Sequence, residues 1–268
     1  MNKVEFINTE LKDIVELRQV SQTYDEGRTY VIKDLNLLIE DKPDQGQFVV
    51  ILGESGCGKS TMLRYIAGLQ EPSSGEVRIN ERVRTNEAIS MVFQQYSSLP
   101  WRTVLRNIML PLEIKGVDRR EAREKAMEMI KTVGLAGHEK KFAQYPILSG
   151  GQLQRVAIAR SLISNPEIIL MDEPFGALDT NTRFKMQLML AELWDNLKCT
   201  VIFVTHDIQE AVFLGDDIYI LSVNPANIVN HIAVDLPFHR DRQTKRSKRF
   251  GELVQEVEDA LLATTRVK

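Results

Sequence analysis

Phe48-Val49-Val50-Ile51-Leu52 runs directly into Gly53-Glu54-Ser55-Gly56-Cys57-Gly58-Lys59-Ser60-Thr61, and this stretch decides the fold. An uninterrupted apolar run ending at glycine is the mark of a strand buried on both faces. The segment after it satisfies the pattern G-x-x-x-x-G-K-[S/T], and a helix is predicted from about Lys59 to Leu69. Glycines let the backbone curl so that consecutive N–H groups point inward at phosphate oxygens. The helix start adds the positive end of its dipole. In such a cradle Lys59 reaches the β- and γ-phosphates and the Ser60 hydroxyl ligates Mg²⁺. The whole run Gly53–Thr61 is therefore the nucleotide-binding candidate. The bland alternative is a glycine-rich turn that merely ends a strand, and the flanking strand, helix and Thr61 argue against it. Cys57 reads as a small filler whose side chain points away from the phosphates and takes no catalytic part.

Outward from this stretch, strands and helices alternate. Before it come two β-like runs, Ile14–Val20 and Val31–Ile39, joined by the turn-rich Asp25–Arg28 and followed by a polar, loop-like Glu40–Gln45. Glu76–Ile79 and Ala88–Phe93 are short strand candidates. From Thr103 to Gly137 the character changes, and Glu121–Val133 has apolar residues spaced by three and four, as in an inserted helical part. Then follow helix (Gly151–Ile163), strand (Ile168–Met171), helix (Arg183–Leu197), strand (Thr200–Val204) and helix (Ile208–Phe213). A hairpin around Asn224-Pro225 pairs Asp217–Val223 with Asn227–Val234, and a last amphipathic helix covers about Arg249 to Leu262. This order predicts a mostly parallel α/β sheet of βαβ units. No linker divides the chain.

Bulk properties bound the function. The chain has 268 residues, 43% of them hydrophobic and 26% charged, with a net charge of −3. That balance supplies no basic field for nucleic acid. Its apolar runs are strand-sized, far short of the roughly 18 residues that span a bilayer. Met1–Asp13 lacks a signal peptide's pattern. Cys57 and Cys199 stand far apart without CxxC or Cys/His spacing, which argues against a disulfide framework or a zinc site. The chain reads as cytosolic, so any contact with a membrane goes through a partner.

Two further strand ends carry chemistry. Ile168-Ile-Leu-Met-Asp172-Glu173 is an apolar run ending in paired carboxylates. A strand of this type is expected beside the phosphate-loop strand, bringing Asp172 to the metal and Glu173 to an attacking water. A simple helix cap is the competing explanation. Val201–Val204 ends in Thr205-His206-Asp207, and a histidine at the carboxyl end of a parallel strand faces the ligand crevice. Finally, Leu148-Ser149-Gly150-Gly151-Gln152 opens a helix as a second anion-binding start, with Ser149 as its cap. One nucleotide needs one cradle, so this second one makes sense if it serves a nucleotide held by another copy.

In these residues the chain resembles the nucleotide-binding subunits of ATP-binding-cassette (ABC) transporters over nearly its whole length. Tyr24 resembles the aromatic that stacks on adenine, with Tyr30 a nearby alternative. Gly53–Thr61 matches the Walker A loop and Gln94 the Q-loop glutamine. Ser149–Gln152 matches the signature and Ile168–Glu173 Walker B. Ala177-Leu178-Asp179 matches the D-loop, and His206 the switch histidine. The resemblance implies a P-loop NTPase (RecA-like) core from residues 46–75 and 165–235. To it are added an antiparallel β part (1–45 with 76–93), a helical subdomain (95–164) and a C-terminal helix (236–268).

Several functional expectations come with the likeness. Two copies would pair head to tail around ATP and Mg²⁺, with Ser60, Gln94 and Asp172 at the metal. Glu173, His206, Gln94 and Lys59 would be catalytic, and Asp179 would face the other copy. Partners would be a two-copy membrane permease, reached from the cytoplasmic face of the cell membrane, and indirectly an extracytoplasmic substrate-binding protein. The Pro100-Trp101 pair would either dock the permease or close the helical subdomain as buried packing. Ser98–Leu105, Asp172–Arg183 and the tail Ile220–Arg242 are similar to the nitrate/sulfonate/taurine importer group. The longer loop Asp41–Gln45 and Gln47 depart from that group. The basic run Arg240–Arg249 reads first as a solvated surface.

Two other classes compete. ATPases with this signature that act on DNA separate Walker A from the signature by coiled-coil or zinc-binding inserts, and those acting on ribosomes usually carry two cassettes. Here Lys59 and Ser149 are 90 positions apart (149 − 59), with no heptad array and one cassette. A P-loop nucleotide kinase would not need Ser149–Gln152 or His206.

Overall fold

The computed structural model describes residues 13–265 except 26, 41, 43–45, 84–88, 96, 196, 198 and 224. Parts of the expected Glu40–Gln45 loop, the strand start at Ala88, Asn224 in the hairpin turn and Met1–Lys12 lie outside the described residues. The strands are β1 (Asp13–Thr23), β2 (Tyr30–Glu40), β3 (Gln47–Leu52), β4 (Ser74–Ile79), β5 (Arg82–Val83), β6 (Ser90–Val92), β7 (Ile168–Asp172), β8 (Thr200–Thr205), β9 (Asp217–Leu221) and β10 (Ile228–Ala233). The helices are α1 (Lys59–Ala67), α2 (Val104–Ile114), α3 (Arg119–Thr132), α4 (Gly150–Leu162), α5 (Thr180–Asp195), α6 (Ile208–Leu214) and α7 (Lys248–Thr265).

Two sheets form. The smaller has the order β2-β1-β4-β5 and is antiparallel. The larger has the order β10-β9-β3-β8-β7-β6, parallel throughout except for the β9–β10 hairpin. Every residue of β3 is buried, as its unbroken apolar run predicts. Its alternate side chains feed different cores. Phe48, Val50 and Leu52 join the cluster that includes α4 to α7. Val49 and Ile51 face Met62, Leu63, Tyr65 and Ile66 of α1 and, beyond them, the antiparallel sheet. Phe48 meets Trp194 edge-on at 5.7 Å and Phe203 at 5.5 Å, geometries that suit the aromatic quadrupole.

Two expectations are corrected. The strand carrying Asp172 does not lie beside β3, because β8 intervenes and pairs with both. Ser90–Val92 does not belong to the antiparallel part: it pairs parallel with Ile169–Met171 at the edge of the large sheet. Three residues carry no periodicity that could fix a strand's direction. Within the expected helical part, α2 is a separate element to which the sequence reading gave no bounds, and it carries Pro111 inside it. It forms because Thr103 caps it, accepting from Arg106 N, and Val104, Ile108 and Leu112 line one buried face.

The basic run is mostly spoken for. Arg240 is buried and donates to Gly215 O (3.2 Å) and Asp216 Oδ1 (3.3 Å). Lys245 packs over Phe184 and Phe213, and Arg249 pairs with Asp235 at 2.7 Å. Only part of the run is an exposed basic surface. Gln47 is buried, donating to Glu40 O at 2.5 Å. Among the described residues, no helix is long and apolar enough to cross a membrane.

Candidate active site

Strands β3, β8, β7 and β6 are neighbours and run in one direction, so the loops at their carboxyl ends share one edge of the sheet. Those loops carry Gly53–Gly58, His206, Glu173 and Gln94. The phosphate-type loop curls through Gly56 (φ 81°) and Gly58 (φ 100°), left-handed conformations that suit glycine alone. A Cβ at Gly58 would sit 3.2 Å from Ile32 Cγ1 and 3.5 Å from Ala226 Cβ. Gly58 caps α1 without a side chain, so no hydroxyl or carboxylate competes for the first N–H groups. Lys59 is almost wholly buried. Its ammonium donates to Gly53 O (2.9 Å) and Glu54 O (2.8 Å), and lies 3.7 Å from Glu173 Oε1. Cys57 is buried, and burial pushes its thiol up, which fits a filler.

Ser60 Oγ donates to Asp172 Oδ1 at 2.8 Å, joining the start of α1 to the end of β7. Burial raises the Asp172 carboxyl, with the Ser60 hydrogen bond acting against it. A cation beside this pair would offset that desolvation. Among the described residues no group of three or more His, Cys, Asp or Glu side chains could hold a metal. The Ser60 hydroxyl and the Asp172 carboxylate are hard oxygens and would fit Mg²⁺, which takes one or two protein oxygens and completes its shell with water and phosphate.

Glu173 has φ 42°, an uncommon left-handed backbone for a side-chain-bearing residue, costing on the order of 1–3 kcal/mol. Its N–H donates to Val204 O (3.0 Å) and its Oε2 meets His206 Nδ1 at 2.9 Å. The His206 loop is fixed from behind. Asp207 accepts from Glu210 N at 3.0 Å, and buried Glu210 takes Thr205 Oγ1 (2.6 Å) and Gln187 Nε2 (2.9 Å). Lys245 in turn donates to Gln187 Oε1 at 2.7 Å. Gln94 Nε2 and Glu173 Oε2 flank Gly176, 3.5 and 3.6 Å from where its Cβ would stand. The structure thus brings Lys59, Ser60, Asp172, Glu173, His206 and Gln94 to one place.

Tyr24 follows β1 and is 69% exposed, its hydroxyl 3.4 Å from Gln70 Nε2. Tyr30 is less exposed and lies under Lys33. Between them, hydrogen bonds from Thr29 hold the Asp25 carboxyl down to about 2 and shape the turn.

The second cradle stands apart. Ser149 caps α4 as half of a capping box: its Oγ accepts from Gln152 N (3.3 Å), while Gln152 Oε1 accepts from Ser149 N (2.9 Å). Ser149 is exposed, and neither Lys59 nor Glu173 is among its partners. A Cβ at Gly151 would stand 2.7 Å from Thr182 Cγ2, so α4 packs tightly on the first turn of α5. Asp179 caps that turn, accepting from Asn181 N and Thr182 N at 3.1 Å each.

Sequence reading missed Asn107. Fully buried, it accepts from Leu99 N (2.8 Å) and donates to the carbonyls of Leu99, Arg102 and Thr103. It thereby shapes the turn that displays Trp101, which is 69% exposed and so does not close the subdomain as buried packing. An asparagine that reaches back from a helix to the turn before it has no local signature.

The family model described as ABC transporter matches residues 33–176, more than half of the chain. The chain belongs to the ABC transporter family. Relatives carry this further. The taurine import ATP-binding protein of Rhizobium johnstonii is 42% identical over 89% of this chain and 92% of its own length. The aliphatic sulfonates import ATP-binding protein of Bacillus licheniformis is 45% identical over 84% and 88%. The nitrate import ATP-binding protein of Synechocystis is 40% identical over 84% and 82%. A solved dimeric ATP-binding cassette in a post-hydrolysis state with ADP and Pi superimposes with a TM-score of 0.68 at 36% identity, covering 82% of this chain and 99% of that one. This ABC ATPase binds ATP and hydrolyses it, and the P-loop NTPase fold expected from the sequence is the one observed.

Proposed function

We propose that this ABC ATPase energises import of a small oxyanion-type solute, of the nitrate, sulfonate, taurine or bicarbonate class, from the cytoplasmic face of the cell membrane. Likeness to three import proteins along more than four-fifths of the chain carries this reading. Two copies pair head to tail, each nucleotide lying between one copy's Gly53–Thr61 and the other's Ser149–Gln152, with Asp179 facing across. Tyr24 supplies the adenine platform. Lys59 and the loop N–H groups hold the β- and γ-phosphates, and Ser60, Asp172 and Gln94 hold Mg²⁺, which neutralises phosphate charge when bound. Glu173 orients a water and takes its proton, and His206 steadies that carboxylate from the 2.9 Å contact. Gln94, beside Gly176 and at the head of the helical part, relays the state of the site toward Trp101, the docking surface for a two-copy permease served by a substrate-binding protein.

The test reconstitutes this chain in vesicles with candidate importer permeases and binding proteins from its own genome. ATP hydrolysis should rise severalfold when the binding protein is loaded with its solute. Hydrolysis that ignores every loaded binding protein, or a permease that does not hold the chain, would sink the importer reading. Salt-sensitive stimulation by DNA or ribosomes would favour the rival class instead.

A further inference from the structure

The signature's cap has a partner that its motif does not contain. His138, in the turn after α3, is only partly exposed, and its Nε2 lies 3.0 Å from Gln152 Nε2. Its Nδ1 lies 3.3 Å from Ala136 O, an acceptor, so Nδ1 carries the proton and Nε2 presents a lone pair. The amide of Gln152 must then donate to His138, which turns its oxygen toward Ser149 N. Because Ser149 Oγ accepts from Gln152 N, its own hydrogen remains to be donated, and it has no acceptor among the described residues. Donation thus runs from Ser149 N–H through the Gln152 amide to the imidazole, while the Ser149 hydroxyl separately accepts from Gln152 N.

We propose that neutral His138 is a positioning residue for the signature, fixing the Gln152 amide so that Ser149 and its helix start are held ready for the other copy's nucleotide. This rests on the composite-site reading above. A protonated imidazole presents N–H where the Gln152 amide also presents N–H. Turning the amide over relieves that conflict but sets its nitrogen against Ser149 N–H, so either orientation loses one hydrogen bond of the cap. Protonation of the imidazole therefore loosens the signature. The charged groups around the imidazole are Glu139, whose carboxylate accepts from Gly137 N, with Lys140 and Lys141 on the same turn. From α4, Arg155 is held at Val133 O.

The experiment measures the ATP concentration for half-maximal dimerisation of a Glu173→Gln chain at pH 8 and pH 6, by light scattering. Going to pH 6 should raise that concentration roughly threefold to tenfold, the worth of one net hydrogen bond. His138→Gln places a non-titrating acceptor near the Nε2 position. It should match the parent at pH 8 and abolish most of the acid response. His138→Phe, which offers no acceptor, should bind as weakly at pH 8 as the parent does at pH 6. An acid response unchanged in His138→Gln, or a His138→Phe chain that dimerises like the parent, overturns the role. A Glu173→Gln chain that forms no ATP-dependent dimer at any pH overturns the composite site, and this proposal with it.

Discussion

The molecule has two helix starts suited to phosphate, and they are built on opposite plans. At α1 the cap is a left-handed glycine with no side chain, wrapped around a buried lysine and backed by Asp172 and Glu173. At α4 the cap is a serine bonded to its own glutamine, exposed and without the loop lysine or the acidic pair. The first site brings charge and reactive groups; the second brings only oriented dipoles. A site lacking a cation and a base cannot do the chemistry, yet a well-formed cap at the surface suits a phosphate presented from outside. The contrast teaches that charge and reactive groups gather at one helix start and are missing from the other, and in the proposed head-to-tail pair the α4 end acts opposite a second copy.

The largest effect should come from Glu173→Gln. Phosphate release should fall by about 10²–10⁴-fold with ATP affinity kept, since the base goes while the cradle stays. Turnover near the wild-type rate would remove Glu173 from the mechanism. Next come Lys59→Ala and Ser149→Arg. The first should weaken ATP binding roughly tenfold to a hundredfold, as expected for a lost charged hydrogen bond. The second should leave binding by the single chain intact and stop hydrolysis. Mixed together they should regain activity, because one complete composite site reappears. A mixture as inactive as either mutant would break the comparison.

A smaller effect, on stability, is expected from Gly58→Ala. Its φ of 100° and the 3.2 Å approach to Ile32 should cost about 1–3 kcal/mol, read as a drop in unfolding temperature. The smallest concerns Asp172. Because burial raises its carboxyl above the unfolded value, the ionised group costs stability wherever pH exceeds that unfolded value. Asp172→Asn should then raise the unfolding temperature slightly at pH 7 while impairing hydrolysis. A fall in stability would show that the Ser60 bond outweighs the burial.

The strand–loop–helix course of Gly53–Thr61 was legible, because glycine, lysine and serine at fixed spacing leave few conformations that satisfy all of them. Strand β3 was legible for a related reason: an unbroken apolar run has two buried faces. Strand order was not. Nothing local in Val201–Val204 says that it slips between β3 and β7, a matter settled by which faces the helices cover. Helix α2 was read only as part of a helical region without bounds, although Thr103 and the 104/108/112 spacing were there to be read. His138 and Asn107 escaped because each acts on backbone or side chains that only folding brings near. The basic run misled in part, since its lysine stem and buried arginine serve packing as much as charge.

A side chain at Gly58 would meet Ile32 of β2 and Ala226 beside the β9–β10 hairpin, two places that the chain visits long before and long after the phosphate loop. In genetic terms, the loop has neighbours that no motif search would include. A strain weakened by Gly58→Ala and selected for growth on the imported solute should recover in part through changes such as Ile32→Ala, which removes the Cγ1 contact while the strain of φ 100° remains. Those suppressors would redraw the boundary of the nucleotide site by heredity alone.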